Sequence, residues 1–211
     1  MSMIPQLMSG RALEHGIGMM VDHGGASNAK MYVGGQANAD VAAGTVINGG
    51  DEGTTETESS ELTIPANTLV AGSTIRCKFY VHVPSHNASE TMRVGLRFGS
   101  NTTASSNTGI LTEEEDVANS GDVFVGDCIV QIRTAGDSSA GTAVMFGTIA
   151  MGSAATTKLA RSSDESGAFA PFAIDTTVAN YLSVTIEHST TNASNVAQTE
   201  AFIVDIVNPS T

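Results

Sequence analysis

Three histidines, a run of four acids and five bases are the groups in this 211-residue chain whose types could do chemistry. His82 and His86 flank a Pro-Ser turn, and His188 sits late in another alternating segment. Three imidazoles can hold a zinc ion, provided the fold brings them together. No cysteine or carboxylate stands at a fixed spacing from them, and His86 falls in an expected loop. They read as scattered surface imidazoles, with His15 and His23 weaker still, so no metal is expected. The run Glu113-Glu114-Glu115-Asp116 has neither the alternating ligand spacing nor the turn glycine of an EF-hand loop. It reads as a solvated loop, or as a partner for arginines across a subunit contact. Glycines occur in pairs but never as GxGxxG after a strand or as GxxxxGK[ST], and no GxSxG elbow appears. No catalytic residue and no cofactor is therefore expected, and the chain does not read as an enzyme.

The bases show an asymmetry. Five of the nine, Arg76, Lys78, Arg93, Arg97 and Arg133, fall on the outward parity of three alternating segments. In a chain of net charge −13 a clustered basic face can contact an acidic partner surface, including a neighbouring copy. The other reading is a set of solvated strand positions paired with nearby acids, and both stay open. The same acidity argues against nucleic acid as a partner, because such binding runs on cationic groups neutralising phosphates. No window of about 18 apolar residues exists, so no membrane span is expected. The first twenty residues do not read as a secretory signal. The sequons at Asn87, Asn101 and Asn192 then count as chance products of an Asn-, Ser- and Thr-rich chain.

These side chains must be positioned by strands. Apolar residues alternate at 74–83 (Ile75, Cys77, Phe79, Val81, Val83), 91–98 (Met92, Val94, Leu96, Phe98) and 123–134 (Phe124, Cys128, Val130, Ile132). They alternate again at 181–187 (Leu182, Val184, Ile186) and 199–207 (Phe202, Val204, Ile206). Segments 61–64, 142–151 and 169–174 complete eight strands, with 142–151 apolar on both faces and so central or at an interface. Residues 112–119 and the surroundings of Leu13 are the candidates for a short helix. Gly126 marks a bulge or the close approach of another backbone. Cys77 and Cys128 share parity with large apolar residues and are expected as free, buried thiols rather than a disulfide. The charged fraction, 15%, is low, and small or hydroxylated residues fill the difference, as suits strands joined by many turns. The expected fold is an all-β, eight-stranded antiparallel jelly-roll sandwich over 61–211. Residues 1–60 read as an N-terminal arm and acidic linker with short strands at 31–33 and 41–47.

Two stretches carry a resemblance: ELTIPANTLVAGSTIR at 61–76 and YLSVTIEHSTTNASNVAQTEAFIVDIV at 181–207. With the strands between them, over roughly 61–208, they resemble jelly-roll domains of tailed-bacteriophage virion proteins, most of all trimeric capsid decoration (cement) proteins. The resemblance implies a homotrimer on the virion head surface, made in the host cytoplasm. It implies contact with the major capsid protein through the arm and the jelly-roll base, clamping the capsid. The competing implication is a tail- or head-fibre-associated receptor- or glycan-binding module, with loops 84–90, 99–109 and 189–197 as its contact surface. Against that, no Trp and three Tyr leave few stacking platforms for sugars. An enzyme of cupin-like or lyase type ranks last, since the inferred inward faces are almost wholly aliphatic.

Overall fold

A computed structural model describes residues 44–49, 55–87, 90–116, 121–151, 157–161 and 171–208. Within them the chain is all-β. The strands are β1 Val46–Asn48, β2 Thr57–Ile64, β3 Thr74–Ser85, β4 Thr91–Gly99, β5 Thr108–Asp116 and β6 Asp122–Thr134. They continue as β7 Thr142–Met151, β8 Thr157–Arg161, β9 Phe172–Ala173, β10 Asn180–His188 and β11 Val196–Val207. Two antiparallel sheets face each other. One runs β1-β11-β3-β6-β7-β8, with β9 beside β8 on the same edge of β7; the other runs β2-β10-β4-β5. The β4–β5 hairpin lies in one sheet while its sequence neighbours β3 and β6 pair in the other, the crossover habit of a jelly roll. Among the described residues no helix is long and apolar enough to cross a membrane.

The inward parity makes the core. Phe79, Phe98, Phe124 and Phe202 are fully buried between the sheets, with Ile75, Val81, Val94, Leu96, Val130, Leu182, Val184 and Val204. Burying each large apolar side chain stabilises the sandwich by about 1.5–3 kcal/mol. Gly126 stays in regular register between Phe79 and Ile149, so it marks no bulge. A Cβ there would sit 2.1 Å from the Phe79 ring, so the close approach is to a side chain rather than to another backbone. Cys77 and Cys128 are directly opposite each other on β3 and β6, free and buried. Burial, then the neighbouring Cys128 thiol, push the Cys77 pKa well up.

Several expectations need correction. The acidic run at 113–116 is neither helix nor loop: it ends β5, with Glu114 opposite Arg93 of the same chain. Its strand character is imposed by the β4 partner, which local propensity cannot show. β8 is additional as well, and β1 begins at Val46 within the strand expected at 41–47, of which residues 41–43 lie outside the described ones. β9 is shorter than the 169–174 segment. β2 begins at Thr57, inside the stretch read as acidic linker. What makes that possible is a bulge at Ser59, where Ser60 faces Val184 but Glu58 faces Thr185. The Ser59 hydroxyl donates to Thr45 O at 2.9 Å and accepts from Thr199 N at 3.1 Å, so a polar residue is buried with its bonds made. The strand expected at 31–33 and the helix near Leu13 lie outside the described residues.

Candidate functional site

The structure divides the five singled-out bases between two opposite surfaces. Arg76, Lys78 and Arg133 lie on the seven-stranded sheet, and Arg93 and Arg97 on the four-stranded one. Four of them meet acids within the chain. Arg76 approaches Asp205 at 4.0 Å, Lys78 meets Asp127 at 3.1 Å and Arg93 meets Glu187 at 3.0 Å. Arg97 grips Glu56 with both ends of its guanidinium, Nε to Oε1 at 2.6 Å and Nη2 to Oε2.

The outward face of the four-stranded sheet is polar and internally bonded. Its floor is Ser183 and Thr185 of β10, both fully buried although they point away from the core. Thr185 donates to Glu56, Ser183 donates to Glu61 at 3.1 Å, and Arg97 also donates to Asn107 O at 2.7 Å. Burial alone would raise the Glu56 pKa. Hydrogen bonds from Arg97 and Thr185, with the charges of Arg97 and Arg93, outweigh it and hold the carboxyl below its usual range. Glu58 behaves oppositely. Burial, then the hydrogen bond and charge of Glu61 beside it, raise it to about 7.

The outward face of the seven-stranded sheet is different in kind. Tyr80 stands opposite Val125 across β3 and β6, and Ile129 opposite Phe146 across β6 and β7. With Ile203 of β11 these five side chains remain 36–50% exposed. The Lys78–Asp127 and Arg76–Asp205 pairs lie among them, each acid directly across the ladder from its base.

One end of the sandwich holds the third group. His82 points outward, with Nδ1 3.6 Å from Glu200. His86 and His188 do not read as surface imidazoles: both are buried, their ring centroids 5.7 Å apart. His86 follows β3 of one sheet and His188 ends β10 of the other. The loops that carry them are fastened by Glu90, whose carboxylate accepts from Asn87 at 3.0 Å, from Asn192 at 3.3 Å and from Asn195. Bonds from Thr190 and Asn195, then from Asn192 and Asn87, lower Glu90 to about 2. Asn195, fully buried, also accepts from Asn87 N at 2.9 Å. No ring nitrogen of either histidine makes a well-formed hydrogen bond, although the Ile47 backbone lies close enough to His188 to favour its protonated form. Burial, then the neighbouring His86, lowers His188 to about 4, so its imidazole is neutral at ordinary pH. Among the described residues no third His, Cys, Asp or Glu joins them as a metal cluster. The signal for His188 was in the chain, since it shares parity with Leu182, Val184 and Ile186. His86 carried none.

No family model and no curated protein matches this chain in sequence. Solved structures with similar layering include the UEA-II lectin complexed with galactose, at 11% identity and TM-score 0.36 over 80% of this chain and 91% of that one. Another is the CBM2 module of the evolved Dit of Lactobacillus casei BL23 phage J-1, at 11% identity and TM-score 0.32 over 72% of this chain and 70% of that one. A third is the PL7 alginate lyase AlyA1 from Zobellia galactanivorans, at 10% identity and TM-score 0.32 over 81% and 96%. Likenesses this distant transfer no ligand and no activity to this chain.

Proposed function

We propose that this chain is a structural attachment module of a phage virion, a decoration protein that binds the outer head surface as a homotrimer and braces the capsid. The observation that carries the reading is the exposed apolar face of Tyr80, Val125, Ile129, Phe146 and Ile203 on the seven-stranded sheet. Apolar side chains gathered on one sheet face fit a protein surface better than water or a polar ligand. Ion pairs threaded between them, Lys78–Asp127 and Arg76–Asp205, supply a polar pattern that fixes orientation. This face would seat on capsid subunits. Three copies acting together turn modest single contacts into lasting attachment.

The test mixes purified protein with expanded, undecorated capsids and measures bound copies. Saturating, stoichiometric binding is expected, from a particle three times the mass of the 21.6 kDa chain by light scattering. The double substitution Ile129→Asp, Phe146→Asp should weaken binding at least tenfold. No binding by the wild type would defeat the proposal.

A second reading, a glycan-binding module, has its own observation. On the four-stranded sheet the Arg93–Glu187 pair remains partly exposed, with Tyr181 on the same face. Binding to host-surface glycans, lost on Arg93→Ala and untouched by Ile129→Asp, would favour it.

A further inference from the structure

We infer that His86 and His188 form a binding site for one borderline divalent transition-metal ion, with Zn2+ as its natural probe, that joins the two sheets. Four imidazole nitrogens sit in the interior without a well-formed hydrogen bond, the Ile47 backbone giving His188 only a weak one, and such under-bonded polar atoms are costly there. A metal ion satisfies one nitrogen of each ring at a stroke. Two imidazoles sharing a zinc at the usual Zn–N distance of ~2.0–2.1 Å place their ring centres about 5–6 Å apart. The observed separation is 5.7 Å, with the rings tilted by 35°.

The surroundings agree with this use. Metal binding needs neutral imidazole at both positions. The supporting loops are rigidly held: Glu90 ties Asn87 to Asn192 and Asn195, and Thr91 N donates to Ser189 Oγ at 2.9 Å. Ligands placed this way on both sheets make the ion a clasp across the end of the sandwich. Imidazole pairs suit Zn2+, Ni2+ and Cu2+ over Mg2+ or Ca2+, which prefer oxygen. Water completes the coordination, so affinity rests on two protein ligands rather than four.

The experiment titrates metal-free full-length protein with Zn2+, following heat and Tm, and with Co2+, following its visible absorption. One ion per chain is expected, with Tm rising by several degrees at saturating Zn2+. His86→Gln and His188→Gln should each weaken binding at least tenfold, whereas His82→Gln should leave it unchanged. Long-range 1H–15N spectra of the wild type give a readout that does not depend on the variants folding: the His86 and His188 ring nitrogens should shift on adding Zn2+. No rise in Tm, no shift of these two rings, or binding that survives both substitutions would overturn the inference.

Discussion

The two outward faces of this sandwich are built from the same alternating pattern and end in opposite states. On the four-stranded sheet, Arg97 and Glu56 are only 20% and 10% exposed, and serine and threonine beneath them are fully buried. On the seven-stranded sheet, Lys78 and Asp127 are each 55% exposed, with apolar neighbours open to solvent. The first face has spent its polar groups on itself. The second leaves apolar area uncovered and holds its charges in loose pairs. A buried pair becomes costly when one partner is removed, whereas an exposed pair contributes little. The contrast therefore separates a face that stabilises the fold from one available to a partner.

Removing Arg97 should have the largest effect. Arg97→Ala leaves a largely buried Glu56 carboxylate without its main partner, and the expected loss is about 2–4 kcal/mol in urea unfolding. A loss below about 0.5 kcal/mol would erase the distinction between the faces. Thr185→Val removes one donor to the same carboxylate with little change of shape, and should cost about 1 kcal/mol.

A smaller effect should follow pH. The folded pKa of Glu58, about 7, lies above its ordinary 4.5, so the folded state holds that proton more firmly than the unfolded chain. The contribution is full below pH 4.5 and is lost as pH rises through 7. Urea midpoints of wild type and Glu58→Gln should accordingly diverge between pH 5 and 8, with the variant flatter. Parallel curves would mean that the fold does not raise the Glu58 carboxyl. Smallest of all, Lys78→Ala on the open face should shift stability by no more than about 0.5 kcal/mol.

Much of the fold was legible because inward parity is a local property. Ile75 to Val83, Met92 to Phe98 and Leu182 to Ile186 announce their strands without help from any partner. β5 did not, since Glu113 to Asp116 repel one another in isolation and find a strand only beside β4, with Glu114 across from Arg93. β2 was cut short for a related reason: Ser59 looks like linker until Thr45 and Thr199 are seen to satisfy its hydroxyl. Parity told which way the five bases point but not which sheet carries them, because sheet membership is set by long-range pairing. His188 was readable in retrospect from the same rule. His86 was not, since it lies beyond the end of β3 and only the Asn195 and Glu90 loop contacts make its position intelligible.

The Ser59 bulge has a consequence for how copies can associate. With Thr45 N bonded to Ser59 O at 2.7 Å and Gly44 N to Thr199 O at 2.6 Å, residues 44–45 sew one margin of the sandwich shut. At Ser59 and Thr199 these bonds occupy the carbonyls that a foreign strand would need. At high local concentration, such molecules can meet broadside without strands joining at those residues.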